Sequence, residues 1–282
     1  MTSVTGNSSK DIILFDMDGT LTHPREKIGR EVFDTLYHLT KKCPIGIVSG
    51  SPLNYIEQQV SSLWTVLDLD SCNTDNIALY PCNGTQHLRY NNDREEWDLE
   101  YSLDMRQYMK ETLGERSYQS LIRHILELQL MFVTSYDFSS LTGNFVSYRG
   151  SMLNWSPVGR DANTPEREAF IKLDIEEGIR ESLCEALRVR LDATDLREFD
   201  LNLGGSTSID IHPRGWDKTH VLRHLEGKRV WFVGDKCTPG GNDYPLWSAL
   251  ASTGRAFCTI DPSDTVRIIR EHIMPGIKRS DT

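Results

Sequence analysis

Apolar residues follow one rhythm at the two ends of this chain and another in its middle. Near the start, short runs of β-formers alternate with helical stripes. Ile12 to Phe15 is an unbroken apolar run of strand length. From Arg30 to Lys41, Val32, Phe33, Leu36 and Leu39 fall on one helical face. Cys43 to Val48 reads as a second strand, and Pro52 suits the first position of a helix carrying Leu53, Ile56, Val60 and Leu63. Ile77 to Tyr80 is a third strand. A β-α-β-α order of this kind begins a doubly wound parallel sheet. Beyond Thr85 the composition turns polar as far as Trp97 with no strand pattern, which places the exit from the first domain near residue 88.

The middle of the chain has a different period. Met105, Tyr108, Met109 and Leu113, then Leu121, Ile122, Ile125 and Leu128, predict two helices broken near Gly114. Leu130 to Thr134 and Phe145 to Tyr148 read as extended runs. Thr164 and Pro165 suit the N-cap and first position of a helix through about Leu173, and Ile179, Leu183 and Leu187 mark another. Phe199 to Leu203 and Thr207 to Ile211 alternate strictly, the pattern of half-buried antiparallel strands. The first rhythm then returns. Asp217 and Lys218 open a helix through Leu225, Val230 to Val233 and Phe257 to Ile260 are strands, and Asp264 caps a final helix. The fold class is α/β: a doubly wound, Rossmann-like core over 11–88 and 216–282, interrupted by an inserted α+β cap of antiparallel sheet and helices over 89–215. Residues 1–10 read as a disordered tail.

Length and charge narrow the partners. A chain of 282 residues accommodates one large or two modest cores. Its formal net charge of −10 disfavours general binding of nucleic acid or anionic membrane, so an anionic substrate would need a local basic cluster. The first ten residues lack the apolar centre of a signal peptide, and no run reaches membrane length. Six cysteines are scattered without a CxxC pair, so neither a zinc site nor a disulfide framework is suggested. These features describe a cytoplasmic, reduced protein acting on a small molecule.

The candidate chemistry starts where the first strand stops. Asp16 and Asp18 follow Phe15 directly, and Gly19 lets the backbone turn away from them. Ligands of open α/β sheets bind at the carboxyl ends of the strands, so both acids belong in a crevice. There they suit a hard cation such as Mg²⁺ with phosphate as its second ligand. Arg25 lies on the loop that leaves this pair, and Ser49 and Ser51 sit at the end of the second strand. In the middle segment Arg149, Arg160 and Arg167 concentrate positive charge, and guanidinium forks match phosphate oxygens. Ser208 and Asp210 share the polar face of an alternating strand, where they could grip sugar hydroxyls. A lysine in the first turn of a helix opposes the macrodipole, so Lys218 calls for an anionic partner. Asp235 ends the last clear core strand, and Asn242 and Asp243 follow on a glycine-rich loop.

The string IILFDMDGTLT resembles the first motif of the haloacid dehalogenase (HAD) superfamily of phosphohydrolases and phosphomutases. FDMDGTLT, MLNWSPVGR, IDIHPRGWDK and VGDKCTPGGNDYP, in this order, are similar to the eukaryotic-type phosphomannomutase family from about Lys10 to the C-terminal helix. The chain departs from that pattern at Ser49-Gly50-Ser51, at Cys82, and in an unfamiliar stretch from Leu191 to Glu198.

That resemblance implies a nucleophile at Asp16 and an acid–base at Asp18. It also implies charge neutralisation by Lys218 and a phosphoryl hydrogen bond from Ser49 or Ser51. Mg²⁺ would be held by Asp16, the Asp18 carbonyl, Asp235, Asn242 and Asp243. Arg25, Arg149, Arg160, Arg167, Ser208 and Asp210 fall on substrate-binding positions. The implied reaction interconverts mannose 6-phosphate and mannose 1-phosphate for GDP-mannose synthesis, with a glucose or mannose 1,6-bisphosphate as activator and a homodimer formed through the cap. The alternative on the same core residues is a HAD sugar-phosphate phosphatase. A sensor without catalysis is disfavoured by the presence of both acids.

Overall fold

The computed structural model describes residues 10–65, 74–136, 138 and 140–277, so the tail expected over residues 1–10 lies, apart from Lys10, outside the described residues. The chain forms two compact units. One comprises Met1–Ser102, Asp217–Pro239 and Asp243–Thr282, and the other Leu103–Trp216 with Gly240–Asn242.

The first unit is built on β1 (Asp11–Phe15), whose residues are all buried. Alternate side chains feed opposite faces. Ile13 and Phe15 join a core with Leu36, Ile56 and Ile273, while Ile12 and Leu14 join another with Val221, Leu246 and Leu250. Covering on both sides is what a parallel strand requires. Helix α1 (Arg30–Thr40), β2 (Ile45–Val48), helix α2 (Leu53–Val60), the short α3 (Ser62–Thr65) and β3 (Ile77–Tyr80) follow in order. With β4 (Gln86–Asn91), β5 (Glu96–Ser102), β10 (Arg229–Gly234) and β11 (Ala256–Cys258) they complete a seven-stranded sheet in the order β11-β10-β1-β2-β3-β4-β5. β1 pairs in parallel with β2 and β10, and β2 with β3, as the apolar runs predict. At the opposite end of β1 from the acids, Asp11 accepts from Arg229 Nη2 at 2.6 Å and Trp231 Nε1 at 2.9 Å, a buried anchor between neighbouring strands.

Several elements differ from their sequence expectation. The polar stretch after Thr85 is not structureless: β4 and β5 form an antiparallel hairpin on the sheet edge, and the first unit runs to Ser102. Only Leu88 of β4 is buried and nothing of β5, so an edge hairpin of this kind carries almost no apolar signal. Its turn is held instead by the Asn91 carboxamide, which accepts from Asp93 N and Arg94 N at 3.1 and 3.2 Å. Pro52 caps α2 from extended backbone rather than opening it. Lys218–His224 is a 3₁₀ helix behind an Asp217 N-cap, and the C-terminal helical run that opens at Pro262 is capped by Asp261 rather than Asp264.

The second unit holds a four-stranded antiparallel sheet of β6 (Val146–Tyr148), β7 (Leu153–Trp155), β9 (Ser208–Pro213) and β8 (Phe199–Gly204), in that order. Four helices, α4 (Met105–Leu113), α5 (Ser117–Ser135), α6 (Thr164–Glu177) and α7 (Ile179–Asp192), share its core with Trp155, Phe170, Ile209 and Ile211. The run Leu130 to Thr134 continues α5 instead of forming a strand. Leu128 and Phe132 face inward while Leu130, Met131 and Val133 are exposed, and apolar residues on both sides of a helix erase its period. Helix α6 begins one residue earlier than expected: Asn163 accepts from Glu166 N at 3.0 Å and Glu166 Oε2 accepts from Asn163 N at 2.7 Å, a reciprocal cap. The stretch from Leu191 to Glu198 is the end of α7 and the turn into β8.

Among the described residues no helix is long and apolar enough to cross a membrane.

Candidate active site

The sheet delivers three carboxylates to one place. Asp16 leaves β1, with its backbone N–H donating to Val233 O at 2.9 Å, and Asp235 leaves the adjacent β10. Asp243 returns at the start of helix α8 (Tyr244–Ala251). Carboxylate oxygens of the three lie within 4.8 Å of one another.

Two glycines make that approach possible. Gly19 has φ +89°, and a Cβ there would lie 2.8 Å from the Asp235 carboxyl carbon. A Cβ at Gly234 would stand 2.7 Å from the carboxyl carbon of Asp243.

Lys218 is fully buried and links two of the acids, donating to Asp16 Oδ1 and, at 2.6 Å, to Asp243 Oδ1. The other Asp243 oxygen accepts from Lys236 N at 3.0 Å. Lys218 thus bonds two of the three carboxylates, and the Lys236 charge acts on the third, Asp235. Burial and the Asp243 charge hold Asp16 well above the usual carboxylate range, Lys218 opposing them. The same two causes push Asp235 up to about 6. Burial alone would lower the Lys218 ammonium, but Asp16 and Asp243 outweigh it and raise it. An all-oxygen, negatively overcharged cluster fits a hard divalent cation such as Mg²⁺, the ion anticipated from the Asp-x-Asp pair.

The sign of the pH response follows. Asp235 ionises at about 6 in the folded chain and at about 3.9 unfolded. The folded state thus holds the proton more tightly, and the contribution of Asp235 to stability is lost as pH rises from about 4 through 6. In EDTA, the Tm difference between wild type and Asp235→Asn should widen in favour of the variant across that window. A difference flat with pH would show that Asp235 shares no charge repulsion with its neighbours.

Asp18 stands apart from the triad. Its Oδ1 accepts from Gln59 Nε2 and from Arg25 N, each at 3.2 Å, and Gln59 Oε1 accepts from Thr22 Oγ1 at 2.7 Å. Gln59 was not anticipated, since an amide in the last turn of a helix carries no sequence signal. Arg25 joins Asp18 through its backbone, at φ +66°. Ser49 is buried with its Oγ accepting from Ser51 N at 3.0 Å, and Ser51 is half-buried beside it. Their turn packs on Cys82 and Asn83, whose φ angles of +51° and +62° are unusual for non-glycine residues. Asn242 precedes Asp243, and its Oδ1 is buried without a hydrogen-bond partner.

In the second unit three of the anticipated residues, Arg160, Ser208 and Asp210, gather around one that was not anticipated. Asn154 lies on β7 opposite Asp210 of β9 and donates to Ser208 Oγ at 2.9 Å and Asp210 Oδ1 at 2.6 Å. Its Oδ1 accepts from Arg160. Arg167 donates to Thr207 Oγ1 and Ser206 Oγ, each at 3.1 Å. Ser208 and Asp210 are buried rather than solvated, with Ile209 and Ile211 on the opposite, core-facing side. Arg149 follows β6 and closes a turn through its backbone N–H to Met152 O at 2.9 Å. A polar residue between buried Leu153 and Trp155 was the available signal for Asn154.

The family model described as eukaryotic phosphomannomutase matches residues 32–275. Phosphomannomutase 1 of Dictyostelium discoideum is 34% identical over 92% of this chain and 95% of its own length. The phosphomannomutase of Drosophila melanogaster is 32% identical over 96% and 98%. Among solved structures, an IMP-bound variant of Plasmodium falciparum IMP-nucleotidase has a TM-score of 0.65 at 13% identity, over 94% of this chain and 66% of that one. That likeness supports the HAD-type α/β fold.

Proposed function

The chain belongs to the eukaryotic phosphomannomutase family, and from that premise we propose that it interconverts mannose 6-phosphate and mannose 1-phosphate through a phosphoryl group carried on Asp16. The observation that carries this reading is the Lys218 bridge: a buried carboxylate at a strand end, oriented by an ammonium, within a cluster suited to phosphate and cation.

Asp16 takes the phosphoryl group from a hexose 1,6-bisphosphate, in the manner of aspartyl-phosphate catalysis. Asp18, steadied by Gln59, protonates the departing sugar oxygen. The monophosphate turns over, Asp18 removes the proton from its other hydroxyl, and the phosphoryl group returns to the sugar. Lys218 and a hydroxyl of Ser49 or Ser51 offset charge on the phosphoryl oxygens. Bound at Asp16, Asp235 and Asp243, with the Asp18 carbonyl and Asn242, Mg²⁺ would supply electrophilic assistance to phosphoryl transfer. Arg149, Arg160 and Arg167 hold the other phosphate and Arg25 binds substrate, while Ser208 and Asp210, set by Asn154, hold sugar hydroxyls. The setting proposed is the cytoplasm, where the product feeds GDP-mannose synthesis.

The test is a coupled assay on mannose 1-phosphate and glucose 1-phosphate, with and without Mg²⁺ and a hexose 1,6-bisphosphate, that also follows free phosphate. Formation of 6-phosphate dependent on both additions is expected; phosphate release as the main product would favour the phosphatase. Removing a charge-assisted contact worth about 1.5–3 kcal/mol, Arg160→Ala should slow the mutase roughly 10- to 100-fold. Hydrolysis of a small phosphate ester should be nearly unchanged, and an equal loss in both assays would remove Arg160 from substrate binding.

We also propose a homodimer through the second unit. Leu126 and Leu130 on α5 are 52% and 64% exposed and continue, with Ile122 and Val133, as one apolar stripe along the helix. Sedimentation should show a dimer for wild type and a monomer for Leu130→Asp. An unchanged mass for that variant would place the interface elsewhere.

A further inference from the structure

Two cysteines that the proposed reaction does not use lie beside the acid cluster. Cys237 follows Asp235 by two residues on the loop out of β10, and Cys258 ends β11 in parallel register with Gly234. Their thiols cross. Cys237 Sγ donates to Gly234 O at 3.4 Å and reaches across to Phe257 O at 4.0 Å, beside Cys258. Cys258 Sγ donates in the other direction, to Asp235 O at 3.5 Å. The two thiols thus lie side by side at the ends of neighbouring parallel strands, each bonded to backbone of the other's strand. Cys237 is buried and Cys258 is exposed, so an external reagent meets Cys258 first.

We infer that Cys237 and Cys258 form a dithiol modification site, closing to an intramolecular disulfide under a low-molecular-weight disulfide oxidant such as glutathione disulfide. The Cys258 thiolate attacks one sulfur of the oxidant and expels one glutathione thiolate, giving a mixed disulfide at Cys258. Cys237 then loses its proton to solvent, and its thiolate attacks Cys258 Sγ and expels the second glutathione. The two cysteines give up two electrons, and one glutathione disulfide becomes two glutathione thiols.

Closure has a consequence for the site. A sulfur–sulfur bond is about 2 Å long, so Cys237 must leave its hydrogen bond to Gly234 O and tie the loop between Asp235 and Asp243 to β11. Displacing residues that support a metal-binding carboxylate typically costs 10–100-fold in affinity or activity, and about tenfold is expected here.

The experiment incubates the full chain with excess glutathione disulfide, blocks remaining thiols by alkylation, and maps peptides without reduction while assaying turnover. Expected are a peptide joining Cys237 to Cys258, about tenfold lower turnover, and reversal of both by dithiothreitol. Cys258→Ser should show neither the linked peptide nor the loss. Glutathione left on Cys258 with no linked peptide, or no reaction at that residue, would overturn the assignment. The peptide map is independent of the reaction proposed above, so a chain that forms the link but lacks mutase activity would refute that reaction and leave the dithiol standing. A linked protein with undiminished turnover would overturn the coupling to the acid loop.

Discussion

Asp16→Asn is expected to lower turnover by roughly 10⁴-fold or more, while the metal-free variant melts no lower than wild type. The two effects share one cause. An amide is not a nucleophile toward phosphorus, so the covalent step is lost even though Asn fills the same space and still accepts from Lys218. Removing Asp16 also removes the buried carboxyl that burial and the charges of Asp243 and Asp235 hold in its protonated range. Turnover with a hexose 1,6-bisphosphate and Tm in EDTA measure the two halves. Activity within tenfold of wild type would remove Asp16 as phosphoryl carrier, and a strongly lowered Tm would mean that its charge is needed for folding. Gain of stability with loss of function is the signature of a site held against its own electrostatics.

Asp16 and Asp18 were legible because their information is local. A buried parallel strand must be apolar throughout, so the residue at which the run stops marks the strand's carboxyl end. Lys218 was legible as a residue in want of an anion. Its segment is a seven-residue 3₁₀ helix with little macrodipole, and the anion that Lys218 meets is Asp16, 202 residues away. Gln59 was illegible for the complementary reason, and Asn154 showed only as a polar residue between two apolar ones, with nothing to indicate its partners. An amide has no charge and no periodicity, and the role of each is set by partners 41 and 56 residues distant.

The same physics explains the missed elements. The hairpin of β4 and β5 lies on the sheet edge and buries a single apolar side chain, so neither a run nor an alternation could announce it. Leu130, Met131 and Val133 lie on the exposed side of helix α5, where a solitary helix would carry polar residues, and they hide its last turns from the sequence pattern. An apolar outer face blurs the helical period and is also a surface that a second copy could cover.

Lys218→Met should produce the largest loss of stability. The ammonium is wholly buried and bonds to Asp16 and Asp243, so its removal leaves two buried carboxylates without their shared partner. Breaking a buried pair in this way costs about 3–5 kcal/mol, and methionine restores volume without charge. The loss should depend on pH in a set direction. Protonated carboxyls need no counter-charge, so the gap in Tm between variant and wild type should be smaller at pH 5 than at pH 8. Mg²⁺ should narrow that gap as well, since a cation among Asp16, Asp235 and Asp243 compensates the same charges. Turnover should stay down by about 10²–10³-fold even in saturating Mg²⁺, because a divalent ion among the acids does not replace a donor aimed at the phosphoryl oxygens. Thermal melts in EDTA and in Mg²⁺ at the two pH values, with turnover beside them, separate these terms. A Tm in EDTA within a degree of wild type would mean that the three acids already share protons among themselves and that Lys218 is a bystander.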